Sequence, residues 1–397
     1  MNRYLLLICL ALISVVLSGC WDSNELNDLA VSVGMGLDKK GNKVQVSTQI
    51  VNPSEVATKR GGGYSAPVTT FTATERTTLE ALRKITSVSP RKVFSSHLRI
   101  LVIGEALARN GVAEVMDSIS RNHELRSDFY IIVPKGTTAK SVLSILNPIE
   151  KIPSNKMFSS LEVSEGTWAP AAKVELFEFM ADLSDPSKEN ILTGIRIAGD
   201  ASAGNKLSNV EQIVPSAILQ YSGIAVFKGD RLVDWLNQDE SKGYNYIVGN
   251  VKNSIGHIRC PDGNGVLTVD VTRTISKIKG ILSNGKPKIK INLFIEENVA
   301  GVQCQIDLTK PETIREIEDL SNQKLTTMME SAIRKAQRNK ADIFGFGQAI
   351  ENAHPRQWQK LKNDWPDRFS DLDVDINVDT RIRRLGTTSN SAIESWE

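Results

Sequence analysis

The residues best suited to chemistry stand near the start of the sequence. Met1-Asn2-Arg3 places one positive charge before Tyr4 to Leu17, which is apolar apart from Ser14, and Leu17-Ser18-Gly19-Cys20 follows. A basic start, a short apolar run and small residues before a cut site are the parts of a secretory signal. The run has about 14 residues, whereas a helix needs roughly 20 to cross the hydrocarbon core. Residues 1–19 are therefore expected to be a cleaved leader, not a retained span. The four closing residues fit a lipobox, in which a diacylglyceryl group joins the Cys20 sulfur and cleavage makes Cys20 the new N-terminus. Each buried CH2 contributes about 0.8 kcal/mol and one acyl chain holds only marginally, so two chains suit a stable anchor. Cys9 lies in the removed segment.

Few other groups could react. The chain has 4 His and 4 Cys, and with Cys20 acylated only Cys260 and Cys304 remain as thiols. An extracytoplasmic compartment permits a disulfide, but sequence alone does not bring two Cα atoms within bridging distance. Two unpaired, partly buried cysteines are the expected state, with one disulfide as the alternative. His97, His123, His257 and His354 are scattered, and none has a second His or Cys at ligand spacing. No metal or cofactor is expected. GxSxG, HExxH, CxxC and GxGxxG are all missing, and Arg60-Gly61-Gly62-Gly63 lacks the Lys-Ser/Thr of a phosphate-binding loop. Asp371, Asp373, Asp375 and Asp379 suggest a calcium ladder at first sight. On a strand, however, alternate residues are about 6.6 Å apart and cannot wrap one ion, so a solvated face is expected.

Charge and composition narrow the classes further. Lys+Arg number 48 against 46 Asp+Glu, a formal +2, which excludes the strong basic excess of a nucleic-acid binder. Hydrophobic residues at 41% and charged residues at 24% describe a globular chain.

The elements that must position these groups alternate between strand and helix. Leu29 to Leu37 and Val44 to Val51 read as half-buried strands joined through Gly41-Asn42. Thr77-Thr78-Leu79-Glu80 fits a capping box, and Leu79, Leu82, Ile85 and Val88 recur at helical spacing. Leu98 to Ile103 and Phe129 to Val133 read as buried strands, with helical stretches over Ala106 to Ser120 and Thr138 to Leu146. A hairpin is expected from Gly223 to Leu236, turning at Lys228-Gly229-Asp230-Arg231. Ile289, Ile291, Leu293 and Ile295 alternate with polar residues except at Phe294, and Leu372, Val374, Ile376 and Val378 alternate with polar residues throughout. Lys288 and Lys290 on the first of these strands complement the aspartates on the second, which suits antiparallel neighbours. Thr309-Lys310-Pro311-Glu312 fits a capping box opening a long helix toward Asn339, with Ile314, Ile317, Leu320, Leu325, Met328, Ala332 and Ile333 as its apolar stripe.

The expected fold class is α+β: three mixed α/β domains, the last with an antiparallel sheet packed against a long helix. After the leader at 1–19, the expected divisions are an N-terminal mixed α/β domain at 20–195, a middle domain with the hairpin at 210–272, a C-terminal α+β domain at 273–386, and a tail at 387–397.

These residues together resemble the Ger(x)C lipoproteins, the C subunits of germinant receptors in endospore-forming bacteria. The resemblance begins at Gly19-Cys20-Trp21-Asp22 and Glu25-Leu26. It continues through Gly223-Ile224-Ala225-Val226-Phe227-Lys228-Gly229-Asp230-Arg231-Leu232-Val233 with Trp235-Leu236. It ends with Ala341-Asp342-Ile343-Phe344-Gly345-Phe346-Gly347 and the region of Trp358 and Trp365. On their own terms these motifs read as structural: a hairpin with its Gly-Asp turn, and aromatics beside a helix break made by glycines. The resemblance implies a non-enzymatic protein held through Cys20 at the outer face of the spore inner membrane. There it would assemble with an integral-membrane A subunit and a transporter-like B subunit into a receptor for nutrients such as amino acids or sugars. It leaves open whether this subunit itself touches the nutrient. The alternative is a solute-binding lipoprotein of a transporter, a class that would show two similar α/β lobes around a ligand cleft.

Overall fold

Two runs of alternating and continuous apolar residues build two sheets in the computed structural model, which describes residues 3–5, 28–57, 66–168 and 170–386. Most of the expected leader, Cys20 with Trp21, Asp22, Glu25 and Leu26, the Arg60–Gly63 loop and the 387–397 tail lie outside the described residues.

The first sheet contains β1 (Leu29–Lys40), β2 (Lys43–Val51), β3 (Val68–Glu75), β4 (Lys92–Phe94), β5 (Ile100–Ile103), β6 (Tyr130–Pro134), β7 (Ile191–Gly199), β8 (Ala217–Lys228) and β9 (Arg231–Leu236). Its order is β3-β2-β1-β5-β6-β7-β8-β9, with β4 beside β1. β1, β5, β6 and β7 run parallel, while the outer strands turn back as antiparallel hairpins. The central parallel strands β5 and β6 are short, apolar and buried along their whole length, as strands covered on both faces must be.

The expected capping box forms at Thr77. The Glu80 N–H donates to Thr77 Oγ1 at 3.2 Å, and the Thr77 N–H donates to Glu80 Oε2 at 3.1 Å. The helix Thr78–Ile85 buries Thr78, Ala81 and Ile85. Leu79 and Val88 are exposed instead of lining its apolar face: the helix turns residue 78 inward, and Val88 lies beyond its end.

The second sheet contains β10 (Ser254–Arg259), β11 (Val266–Ser283), β12 (Lys286–Val302) and β13 (Asp373–Arg384), paired in that order. Ile289, Ile291, Leu293 and Ile295 of β12 are buried, as their alternation requires. β10, β11 and β12 are antiparallel, but β13 joins β12 in parallel, which corrects the antiparallel expectation. The cause is connection length: a long helix, Pro311–Arg338, carries the chain back between them, and a crossover of that kind returns a strand in the same direction. The charge complementarity survives the change. Lys288 lies opposite Asp373 and Lys290 opposite Asp375, and Lys288 Nζ is 2.8 Å from Asp373.

The long helix begins at Pro311, yet Thr309 does not cap it. The Thr309 hydroxyl and N–H both donate to Asp307 Oδ1, and Lys310 occupies the capping position with no side-chain capping bond. Residues 210–272 are shared between the sheets, with the β8–β9 hairpin in the first and β10 in the second. The buried helix Gln238–Val248 links them. One apolar core runs continuously from Met35 and Leu101 in the first sheet to Ile291 and Trp365 beside the second.

Candidate functional site

The Ala341–Gly347 segment lies where the two sheets meet. Gly345 adopts φ +72° and starts the helix Phe346–Ala353, a backbone region that glycine enters without a Cβ penalty. At Gly347 a Cβ would come within 2.5 Å of the Ser187 carbonyl oxygen and 2.9 Å of Trp358 and Trp365, so only glycine fits there. Phe344, Phe346, Trp358, Trp365 and Phe369 are buried around it, with Phe344 and Phe346 stacked at 5.0 Å.

Asp342 organises this segment. Its Oδ1 accepts the N–H groups of Phe344 at 3.2 Å and Phe346 at 3.1 Å, and its Oδ2 accepts the Gly347 N–H at 2.7 Å and the Trp365 indole N–H at 3.0 Å. Burial pushes this carboxyl up to about 6, against the hold of those donors. Every group facing it is a donor, so only the ionised form answers all of them. The 185–190 loop that leads into β7 is fastened here too. The Glu189 N–H donates to the Asp342 carbonyl at 2.8 Å, and the Gln348 amide donates to Asp185 Oδ2 at 2.8 Å.

Beside the junction opens a cleft of about 710 Å³ whose walls include Tyr130, Glu175, Glu178, Tyr244 and Phe344. Its cations are already engaged: Lys173 pairs with Glu165 at 3.0 Å and Lys188 with Asp182 at 2.6 Å. Glu175 titrates above the usual carboxylate range, first through burial and then through the charge of Glu178.

A smaller hollow of about 120 Å³ lies between the long helix and β10–β12, walled by Trp168, Lys242, Leu325 and Met328, with the Glu297 carboxyl in its lining. Ser321 Oγ donates to Glu297 Oε2 at 2.8 Å. With that single bond, burial pushes Glu297 up to about 7. Lys242 Nζ stands 3.8 Å from the centre of the Trp168 ring and donates to the Ile255 carbonyl at 3.1 Å.

The two remaining cysteines form a disulfide, Cys260–Cys304, with Cα atoms 6.4 Å apart. This corrects the expectation of free thiols: β10 and β11 pair antiparallel, and the chain leaving β12 brings residue 304 back beside residue 260, a closure across 44 residues. The pair also shares the one cluster of possible metal ligands among the described residues, Cys260, Asp262 and Cys304; sulfurs bonded to each other offer no thiolate. The histidines are apart. His97 sits edge-on to Phe94 at 5.9 Å, and His257 lies in β10 opposite Thr268. Asp373 and Asp379 sit on β13 and pair with Lys288 and Arg381. Sequence reasoning missed Asp342 as the organiser of its segment, although an aspartate two residues before an aromatic-glycine repeat was a visible signal.

Comparison with known proteins agrees across the chain. Residues 22–197 match the family described as spore germination protein N-terminal domain, and residues 222–386 match the family described as spore germination B3/GerAC like, C-terminal. Spore germination protein KC of Bacillus subtilis (strain 168) is 32% identical, covering 98% of each chain. Spore germination protein B3 of the same organism is 25% identical over 94% of this chain and 96% of its own length. Among solved structures, the crystal structure of the GerBC protein matches with a TM-score of 0.56 at 20% identity, over 91% of this chain and 99% of that one. That likeness supports the same mixed α/β fold. With both halves matched and a relative similar from end to end, the chain belongs to the Ger(x)C family of spore germination proteins.

Proposed function

We propose that the chain is the C subunit of a germinant receptor, tethered through a diacylglyceryl group on Cys20 to the outer face of the spore inner membrane and assembled there with integral-membrane A and B subunits. The observation that carries this reading is the match to spore germination protein KC over 98% of both chains. Two physical features support it. No helix among the described residues is long and apolar enough to cross a membrane, which accords with attachment through a lipid. Leu29, where β1 begins, follows Cys20 by nine residues; at no more than ~3.6 Å each, the start of β1 stays within roughly 32 Å of the membrane surface. The protein then works by contact with neighbours and not by turnover of a substrate.

The test is Cys20→Ala in spores. The variant is expected to leave the membrane fraction and to abolish the response to the nutrients this receptor serves, while growth and sporulation stay normal. Unchanged fractionation together with full germination would contradict the tether.

A further inference from the structure

A second cleft, of about 470 Å³, opens on the face of the first sheet covered by the helix Pro153–Thr167. Lys156, Ser160, Ser164 and Trp168 follow one another at four-residue spacing, which sets them along one stripe of that helix and its C-terminal cap, and all four line the cleft. The opposite wall comes from the sheet: Lys135 directly after β6, Arg196 in β7, and β8 around a bulge at Ser222-Gly223. None of the lining residues is a carboxylate, and among the described residues none of the three cations has a salt-bridge partner.

What the cations do touch is neutral. Lys156 Nζ donates to the Leu219 carbonyl at 2.6 Å. Arg196 donates through Nε and Nη2 to Gln220 Oε1 at 3.1 and 2.8 Å, which fixes the plane of the guanidinium. Lys135 stands over the Trp235 ring at 5.0 Å. The nearby Glu105 carboxylate is committed elsewhere, to Arg109, the Gly136 N–H and the Trp235 indole. Burial lowers Lys156 to about 8, the mark of a cation that has given up water without receiving a counter-charge.

We propose that this cleft binds the oxyanion head, phosphate or carboxylate, of a small soluble organic molecule. A fixed guanidinium matches the planar or tetrahedral edge of such a group with paired donors. The two lysines add charge, the serine hydroxyls add adaptable donors, and Trp168 offers an apolar wall for the organic body. The cleft begins where β6 ends, the end of a parallel sheet at which ligands commonly lodge. It is also the end opposite the start of β1, where the chain arrives from the proposed Cys20 tether, which favours a solute over a lipid headgroup. The binding inference stands apart from the receptor reading, whereas the choice of a solute over a headgroup rests on the Cys20 tether of that reading.

Isothermal titration of the purified full chain in a non-ionic detergent tests it, with inorganic phosphate and succinate as probes at constant ionic strength. Saturable one-site binding of at least one probe is expected, with Arg196→Gln and Lys156→Met each weakening it about tenfold or more and Lys279→Met, on the second sheet, leaving it unchanged. Arg196 is exposed, so its variant separates lost binding from lost folding. Phosphatidylglycerol added to the micelles should not compete; competition that depends on Arg196 would replace the solute with a headgroup and overturn the proposal. Absence of saturation by both probes, or equal binding by Arg196→Gln and wild type, would overturn it as well.

Discussion

At the Asp342 junction one buried carboxylate meets four N–H donors from its own chain, whereas in the Lys156 cleft three cations meet no carboxylate at all. Both regions flank the first sheet, and both contain charge drawn partly out of water. A charge held by four donors from within, as at the junction, locks the backbone that supplies those donors, and its effect is on the fold. In the cleft Lys156 is drawn partly out of water with no counter-charge, which costs stability until an anion from outside the chain arrives. The contrast separates a structural motif, which holds the two sheets together, from a surface shaped for a ligand.

The largest break in that comparison is Asp342→Asn. It places an amide N–H2 against donors, and breaking a buried charge network of this kind costs about 3–5 kcal/mol. Denaturant unfolding should show that loss, and phosphate binding by whatever fraction stays folded should keep its affinity. Cys260→Ser comes next. Closing a loop of some 44 residues stabilises by roughly 2–4 kcal/mol, so the variant should melt markedly lower, as should the wild type under reductant.

Glu297 sharpens the contrast as an intermediate case, a buried carboxyl with one donor. Its folded value of about 7 stands above the unfolded one near 4.5, so the folded state holds the proton more tightly. The stability this gives is complete below about pH 4.5 and is lost as pH rises to 7, by up to about 3 kcal/mol. Glu297→Gln should flatten that part of the stability-against-pH curve measured by chemical denaturation. The smallest effect on the fold belongs to Arg196→Gln, expected within about 0.5 kcal/mol of wild type, even though it removes the proposed anion binding.

What the sequence disclosed was local. The Thr77 capping box, the β1–β2 and β8–β9 hairpins, the buried β5 and β6 and the one-sided β12 all follow from residues a few positions apart, where spacing and turn chemistry decide. The direction of β13 did not, because alternation marks which face is buried and says nothing about which way the strand runs; the crossover through Pro311–Arg338 decides that. The Cys260–Cys304 pair and the meeting of Lys135, Lys156 and Arg196 depend on sheet order, which joins positions tens of residues apart. Thr309 fitted the capping pattern, but Asp307 took its hydroxyl first, a competition among neighbouring polar groups that a motif does not rank.

The proposed role is that of a lipid-tethered subunit that holds other proteins at a membrane. Affinity purification of the tagged chain from detergent-solubilised dormant spores tests it most directly. The account expects two integral-membrane proteins to come with it in fixed proportion, and the chain itself to begin at an acylated Cys20. Recovery of the chain alone, with its leader intact and no acyl group, would contradict it.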